Sequence, residues 1–75
     1  MKGEKISLGS VIKARRKELG YTQVEVAERS GITQAHVSRI ESGAYNSTFE
    51  TVMNLAHALD MSPFELYKAA ERKAV

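Results

Sequence analysis

The 75-residue chain contains no cysteine, which excludes disulfide bridges and thiolate metal sites. It has no apolar run long enough to cross a bilayer, and its opening MKGEKISLGS lacks the apolar stretch of a signal peptide. No segment is repeated or low in complexity, and none alternates apolar and polar residues as a half-buried strand does. Charge of one sign is scarce too: 11 lysines and arginines against 9 acidic residues leave a formal net charge of +2. These absences predict one cytoplasmic all-α domain over residues 1–75, with an ordered core over about 8–70 and no membrane contact.

What is present is punctuation. The spacing of Leu8, Ile12 and Leu19 predicts a first helix over 8–19, ended by Gly20. Thr22-Gln23-Val24-Glu25 is a capping box: the threonine hydroxyl accepts the Glu25 amide and the glutamate reaches back. The helix it opens stops at Ser30-Gly31, and a third runs from Thr33 to Ser42-Gly43. After a loop at 44–46, Ser47-Thr48-Phe49-Glu50 reads as a second capping box, opening a helix with Val52, Leu55, Ala56 and Leu59 on one face. The last helix starts at Ser62-Pro63-Phe64-Glu65, with proline at the first helical position, where its missing N–H costs nothing.

Helices this short need packing to persist. The expected core is Leu8, Ile12, Leu19, Tyr21, Val26, Ala27, Ile32, Val37, Ile40, Phe49, Val52, Leu55, Leu59, Met61 and Leu66. That set nearly exhausts the large apolar residues, so no cavity for a small-molecule ligand is expected. Val11, Val24 and Phe64 are expected at the surface. Between Gln23 and Ser42 a further constraint appears. Small Ala27 stands where two helices must cross closely, and Gly31 stands where the chain turns sharply with positive φ. Together with Ile32, Val37 and Ile40 facing inward, this is the spacing of a helix-turn-helix.

Catalysis and metal binding have no support. His36 and His57 are the only histidines, at a separation that fits no metal motif, and no Ser–His–Asp spacing or Gly-rich phosphate loop occurs. No enzyme, cofactor or metal is expected. Lys13, Arg15, Arg16 and Lys17 form a basic cluster, which taken alone reads as a solvated helix face. A chain with charge +2 offers few phosphate contacts, so tight DNA binding would require two copies.

From about Leu8 to Tyr67 the sequence resembles the Cro and phage-repressor class of regulators, the XRE family. The resemblance rests on Arg16…Leu19-Gly20-Tyr21-Thr22-Gln23, Glu25-x-Ala27, Gly31-Ile32-Thr33-Gln34, Val37-Ser38-Arg39-Ile40-Glu41-x-Gly43 and Leu55-Ala56-x-Ala58-Leu59. It implies a compact five-helix bundle, the lambda-repressor-like DNA-binding domain, whose dimers bind palindromic double-stranded operators. One departure is Ser47, which follows Asn46 where the family often has proline; loop stiffness is expected to change more than function.

In such folds the third helix lies in the major groove with its N-terminal residues near base edges. The candidate base contacts are Gln34, which can pair bidentately with adenine, Ala35 against a thymine methyl, Ser38, and Arg39 toward guanine. Candidate phosphate contacts are Gln23, at a helix N-terminus, with Thr33, His36, Ser42, Gly43, Tyr45 and Asn46. The resemblance further implies an ion pair between Arg16 and Glu41 that orients the third helix, a structural role. Phe64, Tyr67 and Met61 are the candidate homodimer contacts. The expected function is sequence-specific transcriptional regulation in a bacterium or phage. The competing reading is a protein-interaction module, such as an antitoxin or coactivator-like adaptor, or the DNA-binding fragment of a larger regulator.

Overall fold

Five helices follow one another in the computed structural model: α1 (Leu8–Glu18), α2 (Gln23–Ser30), α3 (Gln34–Ser42), α4 (Phe49–Ala58) and α5 (Pro63–Ala74). The structure describes residues 8–43 and 48–74, with side chains as far as Glu71, and no strand occurs among them. The all-α, helix-turn-helix architecture read from the sequence is the one observed.

Local chemistry sets most helix ends. At α2 the Glu25 amide donates to Thr22 Oγ1 at 3.1 Å, and the Thr22 amide donates to Glu25 Oε1 at 2.8 Å, closing the capping box. Ser62 and Glu65 form the same reciprocal pair at α5, at 3.1 and 3.0 Å. Thr33 caps α3 by accepting the His36 amide at 3.1 Å. At α4 the expectation fails by one residue. The cap is Thr48, which accepts the Thr51 amide at 3.2 Å, while Ser47, the first residue of the anticipated box, lies outside the described residues. Both residues are good caps; the backbone turns helical after the second.

The principal helix contacts close a ring in the order α1–α3–α2–α4–α5 and back to α1. The ring encloses Ile12, Val26, Val37, Ile40, Val52, Leu55, Leu59 and Leu66, with Ala27, Ala56 and Ala70 buried among them. Burying each of the larger side chains contributes about 1.5–3 kcal/mol. Leu8, Leu19, Tyr21, Ile32 and Met61 pack at the margin of this core.

Two assignments are corrected. Phe49, expected inside, is 64% exposed: it is the first residue of α4, a turn before Val52, at the end of the helix rather than over the core. Val11, expected outside, is 6% exposed, because α1 is covered on two sides, by α3 and by α5. Val24 and Phe64 are exposed, as expected.

One close crossing is not advertised by composition. A Cβ placed on Gly9 would overlap the carbonyl oxygen of Ile40 and lie 3.1 Å from that of Glu41. Here α1 therefore lies against the backbone of the last turn of α3.

Candidate nucleic-acid interface

The turn between α2 and α3 is made by Gly31 at φ 76°, whose amide donates to Ala27 O at 2.9 Å, as does that of Ile32 at 3.1 Å. It directs α3 so that Val37 and Ile40 enter the core. Gln34, Ala35, Ser38 and Arg39, spaced i, i+1, i+4 and i+5, then lie exposed on the opposite side as one stripe. These are the four side chains anticipated for base contact.

A chain of polar contacts ties the start of this stripe to the interior. Arg16 on α1 meets Glu41 on α3 bidentately, Nε to Oε2 at 2.7 Å and NH2 to Oε1 at 3.0 Å, while its NH1 donates to Tyr21 O at 2.9 Å. The two side chains expose 11% and 3% of their surface. Gln23 Nε2 donates to the same Glu41 Oε1 at 3.0 Å, and Gln34 Nε2 donates to Gln23 Oε1 at 2.9 Å. Gln23 and Gln34 hold equivalent places, each the first residue of a helix after a threonine cap.

Burial alone would raise the pKa of Glu41. Hydrogen bonds from Arg16 and Gln23, with the positive charges of Arg16 and Lys13, outweigh it and hold the carboxyl below its ordinary value. The Glu41 carboxylate in turn pushes the Arg16 guanidinium above its own ordinary value. Both groups are therefore charged across the neutral range.

The remaining anticipated phosphate contacts are scattered. Thr33 is engaged as a cap, and His36 is half-buried. Ser42 Oγ donates to Arg39 O at 2.9 Å, and Gly43, at φ 82°, closes the C-terminus of α3. Tyr45 and Asn46 lie outside the described residues. The basic cluster divides by role. Arg15 donates from Nε to Leu59 O at 3.0 Å, satisfying a carbonyl at the end of α4, and pairs with Glu18 at 3.3 Å. Arg16 is committed to Glu41, which leaves Lys13 and Lys17 as the exposed members. The sequence reading missed the Arg15 cap and the Gln23–Glu41 bond, which join residues 44 and 18 positions apart.

Phe64 is 71% exposed, with Lys68 Nζ 5.5 Å from its ring centroid. Met61 and Tyr67, the other two anticipated dimer contacts, are partly buried against the core. The principal contacts of α5 are with α1 and α4, not with the α2–α3 pair. Among the described residues no three His, Cys, Asp or Glu side chains gather to hold a metal, and no helix is long and apolar enough to cross a membrane.

A family model described as helix-turn-helix matches residues 12–66. The chain is 44% identical over 59 residues to an uncharacterised HTH-type transcriptional regulator of Sinorhizobium fredii, covering 79% of this chain and 77% of that protein. Its fold superposes on the restriction–modification controller protein C.AhdI of Aeromonas hydrophila with a TM-score of 0.79 at 31% identity, over 83% of this chain and 94% of the other. It also superposes on SinR, a master regulator of biofilm formation solved in complex with DNA, with a TM-score of 0.74 at 33% identity, over 79% and 95% of the two chains.

Proposed function

The chain belongs to the helix-turn-helix family of DNA-binding transcriptional regulators and is not an enzyme, and from that premise we propose that it recognises a palindromic operator as a homodimer. In this reading α3 lies in the major groove and presents Gln34, Ala35, Ser38 and Arg39 to base edges. The observation that carries it is the exposed stripe on α3, whose leading side chain is held by Gln23 before any ligand arrives. An ordered side chain has less freedom to lose on binding.

Gln23, which accepts from Gln34, and Thr33, His36, Ser42 and Gly43, on or beside α3 in sequence, supply backbone contacts that set register without reading bases. Two copies related by a two-fold axis place their reading helices about 34 Å apart, one turn of duplex. The exposed Phe64 on α5 is the contact proposed to join them, on helices other than the reading pair. The same exposed phenylalanine favours a second reading, in which α5 docks a different protein.

The deciding experiment is selection from a random duplex library at low and raised salt, with wild-type protein and Gln34→Ala. Enrichment of a palindrome, altered at defined positions by the substitution, supports the operator-binding reading. Salt-sensitive binding without enrichment would leave generic phosphate affinity and turn attention to Phe64 and a protein partner.

A further inference from the structure

A primary amide has unlike ends: its oxygen only accepts and its nitrogen only donates, whereas an ionised carboxylate only accepts. Glu41 Oε1 must therefore be met by the nitrogen of Gln23, as it is at 3.0 Å. That turns Gln23 Oε1 toward Gln34, where only a donor satisfies it, and Gln34 Nε2 does so at 2.9 Å. Gln34 is left with its oxygen and one N–H for the groove.

That remainder matches one purine. Adenine offers a donor at N6 and an acceptor at N7, whereas guanine offers two acceptors, O6 and N7. If the relay ran the other way, Gln34 would meet Gln23 with its oxygen and turn both N–H groups outward, the pattern guanine accepts. The choice between purines thus depends on the polarity of two amides, and that polarity depends on the group at position 41. Reversal would press the Gln23 oxygen against the carboxylate of a side chain that is 3% exposed, where two like oxygens repel with little solvent screening. Arg16 grips both carboxylate oxygens from the other side and prevents the group from turning away.

We propose that Glu41, which has no place among the base contacts, is a positioning residue that makes Gln34 select adenine over guanine. The inference rests on the DNA-reading role proposed above and adds a residue that acts through two others.

The test compares binding to duplexes from the selected operator with adenine or guanine at the base that responds to Gln34→Ala, for wild type, Glu41→Gln, Gln23→Met and Arg16→Met. Wild type is expected to favour adenine by about ten- to a hundredfold. Glu41→Gln, whose amide serves either polarity, is expected to cut that ratio at least about fivefold, a loss of about 1 kcal/mol of discrimination. Gln23→Met breaks the relay without touching the ion pair and reports the same loss if Glu41→Gln does not fold. Arg16→Met weakens binding to both duplexes yet keeps the adenine preference, because the carboxylate still accepts from Gln23. A ratio unchanged in folded Glu41→Gln, or in Gln23→Met where Glu41→Gln does not fold, overturns the inference while leaving operator binding intact. Absence of any enriched site with wild-type protein overturns both.

Discussion

Removing the Arg16–Glu41 pair one side at a time and then together tests the interior of the site apart from DNA. Glu41 accepts three hydrogen bonds, two from Arg16 and one from Gln23, at 3% exposure. Truncation to alanine would leave the guanidinium with Tyr21 O alone, and breaking a buried pair in this way costs about 3–5 kcal/mol. A 75-residue domain has only about 4–11 kcal/mol in total. Gentler changes are therefore needed. Glu41→Gln keeps the volume and one acceptor and is expected to cost about 2 kcal/mol, the scale of a hydrogen bond to a charged group. Arg16→Met strands the carboxylate on Gln23 and is expected to cost about 3 kcal/mol. The double variant strands neither charge and should cost no more than the worse single change, giving a coupling of about 2 kcal/mol. Urea unfolding followed by helical circular dichroism reads this directly, since about 1 kcal/mol per molar makes the non-additivity a midpoint difference of about 2 M. Additive costs, with coupling below about 0.5 kcal/mol, would refute the claim that the two groups act as a buried unit.

Four further outcomes are expected. Unfolded Glu41 titrates at the ordinary value of a glutamate carboxyl, while the folded carboxyl titrates lower. Its stabilisation is therefore complete above that value and lost as pH falls through the folded one. Urea midpoints measured from pH 7 to pH 3 should fall less steeply for Glu41→Gln than for wild type, and parallel curves would contradict this. Gly9→Ala should destabilise by about 1–3 kcal/mol despite alanine's better helix propensity, because the new methyl meets the Ile40 backbone; an unchanged or raised Tm would be the contrary result. Asp60 sits at φ 57° just past α4, a conformation glycine adopts freely, so Asp60→Gly should raise stability by about 0.5–1 kcal/mol in thermal melts. Phe64→Ser should shift sedimentation toward the monomer with little change in urea midpoint at low protein concentration; an unchanged association state would remove Phe64 from the contact.

What the sequence disclosed follows the range of the interactions concerned. Thr22 with Glu25, Ser62 with Glu65, and the glycines at 31 and 43 act over three or four residues, so their chemistry is visible in the string itself. Phe49 and Val11 show where that visibility ends. Helical spacing puts Phe49 in line with Val52 and Ala56, yet burial depends on whether another element reaches that end of the helix. Arg15 and Arg16 are chain neighbours of one chemical kind, but about 100° of helical rotation sends one to the end of α4 and the other to α3. Gly9 looks like a poor helix residue until the Ile40 carbonyl is placed beside it. The exposed stripe of α3 was legible because the turn at Gly31 fixes which side is covered; the link that orders Gln34 was not, since it passes through residues 16, 41 and 23.

The relay also divides the surface of α3 by how freely it can evolve. Ala35, Ser38 and Arg39 are exposed, and no hydrogen bond joins their side chains to the Gln23–Glu41 network among the described residues. On the DNA-reading role proposed above, drift at these positions explores new operators while the ring of helices stays intact. Gln34 is different, because its partner Gln23 shares a carboxylate oxygen with Arg16, the residue that fastens α1 to α3. On the reading proposed above, a lineage altering Glu41, which holds both Arg16 and Gln23, would change recognition and folding in the same step. Paralogues should therefore diverge first at 35, 38 and 39, and Glu41 should change only together with its partners Arg16 and Gln23.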